Sequence, residues 1–398
     1  MNKNLLRLQP YPFEKLAELK AGLAPPASLK HIPLSIGEPK HPAPPFVLER
    51  LTQSLDGIGQ YAATRGTEML RAAIARWATQ RFHLSEGALS PEHHILPVNG
   101  TREALFAFAQ CIVDSSEDAK VLMPNPFYQI YEGAALLAGA EPVFINCDTA
   151  NLLPDFNSVS EQDWQACQLL YLCSPGNPSG AVLKLEDYQQ LLALADKYNF
   201  VLASDECYSE LYFDENAAPL GLLQACELLG RKDFRNCMVF HSLSKRSNLP
   251  GLRSGFVAGD AHLIEAFFAY RTYHGCAMPL TVQQASIAAW EDENHVRDNR
   301  ELYRKKFAAV IDILAPVCDI EKPEAGFYLW LKTGVDDKTF AAALFEKYNV
   351  TVLPGSFLAR STPTGNPGQN RVRIALVATL EECVEAAERI KQYFTEKN

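Results

Sequence analysis

The residues best suited to chemistry lie between Ser242 and Phe256, where a lysine stands among small and hydroxyl residues. Lys245 follows an apolar stretch over 237–240, Ser242 and Ser244 come just before it, and Arg253 comes eight residues after it. A lysine whose surroundings lower its pKa can form a Schiff base with a carbonyl cofactor. Two hydroxyls and a guanidinium are donors that hold a phosphate group. The segment therefore predicts amine chemistry beside a phosphate, and a polar loop with an incidental lysine is the alternative.

A second candidate site is the turn at Gly100, Thr101 and Arg102, which follows an apolar strand and opens a helix. A glycine and a hydroxyl residue at a helix N-terminus present free N–H groups and the positive end of the helix dipole to an anion. Thr101 could instead simply cap the helix. Together with Lys245 and Arg253, the turn favours a phosphate cradle.

Two further polar positions follow apolar strands. Asp205 ends the stretch Leu202–Ser204, where a carboxylate is costly unless it has a positive partner, and capping a following helix is the alternative. Glu206, the next residue along the chain, is the competing candidate for the same role. Asn177 lies in Ser174–Gly180, a segment whose prolines and glycines by themselves predict only a turn.

The composition limits the classes of protein to consider. The chain has 398 residues, 47% apolar and 21% charged, with a net charge of −10, which predicts a globular protein of two domains and argues against nucleic acid or an anionic membrane as the partner. No apolar run reaches the length of a membrane span, and the N-terminus lacks a signal-peptide core. Ten cysteines without a CxxC pair predict reduced thiols, no structural metal and a cytoplasmic location.

The elements that would position these residues alternate between short apolar runs and helical patterns, which predicts an α/β fold with a mostly parallel seven-stranded sheet. The predicted strands are Ile95–Val98, Val121–Met123, Pro142–Asn146, Leu169–Cys173, Phe200–Ser204, Met238–His241 and Gly255–Ala258. After about residue 284, long helices (292–313 and 380–394) and short strands (327–331, 351–354 and 372–376) predict a smaller α+β domain. We expect an N-terminal arm over 1–45 that joins the small domain, a large domain over 46–284 and a small domain over 285–398.

The segment Ser242–Phe256 resembles the pyridoxal-phosphate (PLP) lysine signature of class I/II aminotransferases, the fold type I PLP-dependent enzymes. Other segments resemble the same family in chain order, namely 36–39, 61–66, 99–105, 124–128, 174–180, 202–208 and 371–376. Each match alone is weak, but an unrelated protein would rarely carry all of them in this order. The resemblance implies PLP as cofactor, amino acids and 2-oxo acids as substrates, and a homodimer.

The resemblance also implies a role for each matched residue. Lys245 would carry the cofactor and move the proton, and Arg373 would pair with the substrate α-carboxylate, with Arg371 on the same strand face as the alternative. The other implied cofactor contacts are the turn Gly100, Thr101 and Arg102, the phosphate donors Ser242, Ser244 and Arg253, the pyridinium partner Asp205, the phenolate partners Asn177 and Tyr208, the ring-stacking Tyr128 (preferred over Phe127), and Tyr61 from the neighbouring subunit. Gly37 and Asn177 would contact the substrate.

Within the family, Ser242–Phe256 is most similar to bacterial succinyldiaminopimelate transaminases, which implies exchange of the amine of N-succinyl-L,L-diaminopimelate with 2-oxoglutarate in lysine biosynthesis. Lys40, Arg65 and Arg271 are candidates for binding the distal carboxylate, and surface solvation is the alternative for each. An aminotransferase for acetylornithine, aspartate or aromatic amino acids remains open, and so does a PLP-dependent C–S β-lyase. A PLP-sensing regulator, a third class of protein, would carry a DNA-binding domain before the Tyr61 segment. We expect none here, because the Tyr61 segment comes too early in the sequence for such a domain to precede it.

Overall fold

A computed structural model describes residues 1–397 of the chain. The α-helices are α1 (Pro12–Lys20), α2 (Pro45–Gln53), α3 (Glu68–Arg81), α4 (Thr101–Ile112), α5 (Ile130–Ala138), α6 (Glu161–Ala166), α7 (Leu185–Tyr198), α8 (Leu222–Leu228), α9 (Leu243–Arg246), α10 (Ala261–His274), α11 (Leu280–Glu291), α12 (Asn294–Leu314), α13 (Asp337–Tyr348) and α14 (Leu380–Lys397). Short 3₁₀ helices lie at Lys3–Arg7, Leu55–Gly59, Phe156–Ser158, Pro250–Leu252 and Gly355–Phe357. No helix within 1–397 is long and apolar enough to cross a membrane.

The strands form three sheets. They are β1 (Ile32–Pro33), β2 (Ile95–Val98), β3 (Lys120–Asn125), β4 (Glu141–Asn146), β5 (Cys167–Cys173), β6 (Val201–Asp205), β7 (Cys237–Ser242), β8 (Gly255–Gly259), β9 (Tyr328–Lys332), β10 (Val350–Thr351), β11 (Leu353–Pro354) and β12 (Arg371–Ala375). The main sheet has seven strands in the order β2-β8-β7-β6-β5-β3-β4, in which β8 runs antiparallel to both its neighbours and the other pairs are parallel. The predicted seven-stranded, mostly parallel sheet is confirmed.

The main sheet is buried on both faces, which explains why its strands are near-continuous apolar runs. Every residue of β2, β6, β7 and β8 is buried, as expected for strands covered by helices on each side. The parallel strands β3, β5, β6 and β7 end at the same edge, so that the polar residues which follow them meet there.

The smaller sheets bring the two ends of the chain together. The antiparallel sheet has the order β11-β12-β9, and β1 pairs with β10 in parallel. Ile32 and Leu34 of the N-terminal arm pack in one apolar cluster with Leu329 and Val372. The predicted boundary at 284/285 falls inside α11, whose Trp290 packs in the same cluster as the α3 residue Trp77, and the three domain limits remain predictions.

Helix α12 connects the small sheets to the lysine segment. Its buried residues Val296, Tyr303, Phe307, Val310 and Leu314 recur at three-, four- and seven-residue spacings, the pattern of a helix with one face against a core. The same face also carries buried polar residues near the N-terminus of α12. One of them, Asn299, donates hydrogen bonds to backbone carbonyls of α9.

Candidate active site

A pocket of about 350 Å³ opens at the edge where the parallel strands end. Most of the residues predicted from the sequence line it: Gly37, Thr101, Arg102, Tyr128, Asn177, Asp205, Tyr208, Ser242, Ser244, Lys245, Arg253 and Arg373. Gly100 lies directly behind Arg253, because a Cβ at Gly100 would lie 2.2 Å from the Arg253 Nη2 atom. The fold therefore collects residues that are spread over most of the sequence.

Lys245 lies in the four-residue helix α9, which begins directly after β7. The Ser242 side chain accepts a hydrogen bond from the Ser244 amide at 3.0 Å and donates to Ser244 Oγ at 2.9 Å, which fixes the entry into this turn. Lys245 Nζ donates to the carbonyl oxygen of Gly37. Burial lowers the pKa of Lys245 to about 8, so that about one tenth of this amine is neutral at pH 7.

The turn before α4 is suited to an anion. Gly100 occupies the N-cap position with φ +85°, and no side chain caps the helix. The Thr101 hydroxyl contacts Cys207 Sγ at 3.0 Å, so the capping alternative for Thr101 does not hold. Arg253 donates to the carbonyl oxygens of Pro250 at 2.7 Å and Asn99 at 3.4 Å. The free N–H groups of the helix end and this guanidinium form a cradle that fits a phosphate.

Asp205 is a buried carboxylate at the end of β6. It accepts hydrogen bonds from the Tyr131 hydroxyl at 2.8 Å and the Cys207 amide at 3.3 Å. Within residues 1–397, no lysine, arginine or histidine nitrogen lies within 4.0 Å of it, and burial raises its pKa. A cationic ring N–H would supply the missing partner. Glu206 points away from the pocket and accepts from Ser204 Oγ at 2.9 Å.

Arg373 is held in place from two sides. Its guanidinium donates to Asn177 Oδ1 at 2.9 Å and to the carbonyl oxygen of Ser35 at 2.8 Å, and it lies 4.4 Å from the centre of the Tyr328 ring. Its Nε atom is buried without a hydrogen-bond partner. Arg371 lies outside this pocket, where it donates to the Trp330 carbonyl at 3.2 Å.

The charges of the pocket are unbalanced. The cations Arg102, Lys245, Arg253 and Arg373 line it together with one acid, Asp205. A protonated ring nitrogen beside Asp205 and a carboxylate beside Arg373 would compensate two buried groups, because buried charges are costly without partners. Arg253 is exposed, and a phosphate beside it would accept hydrogen bonds from its free N–H groups. The residues present therefore fit PLP and an amino acid.

The model of the family described as aminotransferase class I and II matches residues 30–390 of the chain. The chain belongs to this family. It is a PLP-dependent aminotransferase of the expected fold.

Three relatives illustrate the range of similarity within these aminotransferases. A solved aminotransferase from Neisseria meningitidis Z2491 is 51% identical with a TM-score of 0.96, covering 99% of this chain and 100% of that one. The LL-diaminopimelate aminotransferase of Maridesulfovibrio salexigens is 30% identical over 98% of this chain and 97% of its own length. A solved probable N-succinyldiaminopimelate aminotransferase from Thermus thermophilus is 28% identical with a TM-score of 0.83, covering 96% of this chain and 99% of that one.

Several residues of this aminotransferase pocket were missed from the sequence. Tyr11 and Phe13 of the α1 region lie at its mouth, and Cys207 and Tyr328 lie deeper. Tyr328 Oη and Tyr208 Oη are 3.1 Å apart. The dipeptide Tyr11-Pro12 at a helix start was the available signal for α1, because proline is favoured in the first turn of a helix.

Other candidate residues lie elsewhere in the subunit. Tyr61 is fully exposed, and Phe127 is buried in the core 5.2 Å from the Phe144 ring, whereas Tyr128 lines the pocket. The remaining candidates for the distal carboxylate also lie outside the pocket: Arg65 pairs with Glu265, Arg271 is fully buried against Glu103, and Lys40 is exposed.

Proposed function

We propose that this aminotransferase uses N-succinyl-L,L-diaminopimelate as amino donor and 2-oxoglutarate as acceptor, in lysine biosynthesis. The names of two relatives support a donor of the diaminopimelate type, with the succinyl group in one name and without it in the other. The charge of the pocket is the observation that favours the succinylated compound.

The residues of the pocket divide the work of the transfer. Bound PLP supplies the carbonyl and the electron-withdrawing ring. Asp205 stabilises the protonated ring nitrogen, and Arg373 with Asn177 orients the substrate α-carboxylate. Lys245 Nζ would take the proton from the substrate α-carbon as general base and deliver it as general acid to the carbonyl carbon of the cofactor. In the protein without cofactor, burial lowers the pKa of this amine to about 8.

The proposed choice of substrate rests on the contacts of Arg102. Its Nε donates to Tyr128 Oη at 2.7 Å and its Nη2 donates to Tyr11 Oη at 3.2 Å. Within the described residues, no carboxylate oxygen lies within 4.0 Å of this guanidinium. The family resemblance implies a cofactor contact for Arg102, but its side chain turns to the two tyrosines instead. Since Lys245, Arg253 and Arg373 have proposed partners in the cofactor and the α-carboxylate, Arg102 is the cation left for a second carboxylate.

This unpaired cation distinguishes the candidate donors. The distal end of N-succinyl-L,L-diaminopimelate carries two carboxylates and no ammonium, whereas the distal end of LL-diaminopimelate carries one of each. An ammonium beside Arg102 would be repelled, because like charges at short range disfavour one another. 2-Oxoglutarate also has a distal carboxylate, so that one arginine would serve both half-reactions. LL-diaminopimelate is the second candidate, on the name of the Maridesulfovibrio relative.

The test compares kcat/KM for N-succinyl-L,L-diaminopimelate, LL-diaminopimelate, N-acetylornithine and 2-aminohexanoate, which has a carbon chain and no distal charge. We expect the succinylated donor to be preferred. Arg102→Gln should lower its kcat/KM by roughly 10- to 100-fold, the value of a charged hydrogen bond, and change that for 2-aminohexanoate less than about threefold.

Arg65→Gln is the matched control, because Arg65 is an arginine near a family segment that pairs with Glu265 outside the pocket. It should leave the preference unchanged. If LL-diaminopimelate or N-acetylornithine matches the succinylated donor, the substrate assignment is wrong. If Arg102→Gln affects all donors equally, Arg102 does not read the distal end.

A further inference from the structure

We propose that His41 and Asn299 form a positioning pair that holds the Lys245 turn and the N-terminal arm as one unit. The proposal rests on the assignment of Lys245 as the cofactor lysine and is independent of which donor the enzyme uses. Residues 35–41 of the arm, here called the strap, cross the pocket next to Lys245 and Arg373.

Asn299 of α12 supports the backbone of the catalytic lysine. The side chain is 2% exposed, and its Nδ2 donates to the carbonyl oxygens of Lys245 at 3.3 Å and Arg246 at 3.4 Å. These carbonyls lie at the C-terminal end of the short helix α9, where carbonyl groups lack partners from a following turn. The Lys245 side chain therefore starts from a backbone that α12 holds.

His41 of the strap contacts the oxygen of the Asn299 side-chain amide. Asn299 Oδ1 can only accept, so His41 Nδ1, at 2.7 Å, must carry the proton that it donates. Lys306 Nζ lies 2.6 Å from His41 Nε2 and donates to it. The imidazole is therefore neutral with one defined tautomer, and burial lowers the pKa of His41. Its ring packs 4.6 Å from the Tyr303 ring.

The strap makes direct contacts with the two cations that the reaction needs. The carbonyl oxygen of Gly37 accepts from Lys245 Nζ, and that of Ser35 accepts from Arg373 Nη2 at 2.8 Å. The fit is close, because a Cβ at Gly37 would lie 1.9 Å from Tyr328 Oη. The strap thus contacts the lysine amine at Gly37 and, through His41 and Asn299, the lysine backbone.

This double attachment has a consequence for the chemistry. A rotation of the α9 turn would move Lys245 Nζ away from Gly37, and a displaced strap would release His41 from Asn299. The pair therefore keeps Nζ at one position relative to Arg373, which holds the substrate. Neither His41 nor Asn299 lines the pocket, so they act through Lys245 as positioning residues.

The test uses His41→Phe, which keeps a ring against Tyr303 and removes both hydrogen bonds, and His41→Asn, which keeps an N–H donor toward Asn299. His31→Phe is the control: His31 also lies on the arm, and its Nε2 contacts Thr351 Oγ1 at 2.8 Å, outside the pocket. Each variant is measured as holoenzyme by steady-state kinetics and by titrating the absorbance of the lysine-bound cofactor between pH 6 and 10. Hydrogen exchange over 35–41 is measured in the cofactor-free protein.

We expect His41→Phe to lower kcat by about three- to tenfold with KM for the donor within about twofold, to move the midpoint of the absorbance titration and to speed exchange over the strap. His41→Asn should recover part of each effect, and His31→Phe should change none. Asn299→Ala combined with His41→Phe should be no worse than Asn299→Ala alone, because both changes break one connection.

The proposal is overturned if His41→Phe behaves like His31→Phe, or if the two substitutions act additively. If His41→Phe does not fold, the test falls to His41→Asn. Faster hydrogen exchange over the strap with an unchanged absorbance titration in that variant would also overturn the proposal, since the strap would then move without effect on the lysine. Lys245→Ala distinguishes a failure of this proposal from a failure of the lysine assignment on which it rests. If the spectrum of the lysine-bound cofactor survives that change, the lysine assignment itself is wrong.

Discussion

Replacing Arg373 by lysine should weaken the capture of every amino donor. Arg373 is 4% exposed, lines the pocket and donates to Asn177 and Ser35, so its guanidinium has a fixed orientation. A lysine has no planar fork for a carboxylate, and one charged hydrogen bond is lost. At ~1.5–3 kcal/mol for such a bond, kcat/KM should fall by roughly 10- to 100-fold.

The assay measures kcat/KM for glutamate, alanine and the succinylated donor, because a residue that reads the common α-carboxylate must affect all three alike. Arg371→Lys is the matched control, since Arg371 lies on the same face of β12 two residues earlier and donates to the Trp330 carbonyl. Thermal unfolding of both variants shows whether the fold is intact. A large loss in Arg371→Lys with none in Arg373→Lys would refute the reasoning, and so would a loss confined to one donor.

Four further outcomes are expected. Lys245→Ala should abolish turnover. In the unaltered cofactor-free protein, the rate of PLP capture, followed by absorbance, should rise about tenfold per pH unit below pH 8 and level off above it, because the neutral amine reacts and its pKa is about 8. A rate that keeps rising to pH 10 would contradict this. Asp205→Asn should fold normally and lose most of kcat, since a neutral amide no longer favours the protonated ring nitrogen; an unchanged kcat would leave Asp205 a structural role only. Tyr61 should complete the site of the other subunit in a homodimer, so co-expression of inactive Tyr61→Phe and Lys245→Ala chains should restore activity; a fully active monomer would exclude it.

The main sheet could be predicted from the sequence because its strands are buried on both faces. Such strands read as apolar runs, and the residue just after each run must lie at the sheet edge. Asp205 and Lys245, which follow two such runs, both line the pocket at this edge. Strand ends were less accurate: the predicted Val121–Met123 is part of Lys120–Asn125, since Pro124 and Asn125 carry no apolar signal.

The partners of the arginines could not be predicted, because they depend on contacts between distant segments. Arg65 meets Glu265, 200 residues away, and Arg102 meets Tyr11, 91 residues away. Proximity to a family segment suggested Arg65 for the distal carboxylate, whereas the arginine for which we propose that role is Arg102, which lines the pocket. The contact between His41 and Asn299, 258 residues apart, had no local signal either.

The mouth and the floor of the pocket come from parts of the chain with different tolerance to change. Asp205 and Ser242 end strands of the central sheet, where a substitution disturbs the protein core. Tyr11 is the N-cap residue of the nine-residue helix α1 and Phe13 lies in its first turn, and neither belongs to the proton-transfer machinery. We therefore expect substitutions at Tyr11 and Phe13 to alter which donors enter while the reaction itself is retained. A directed-evolution library for donor specificity should therefore begin at these two positions rather than at the strand ends.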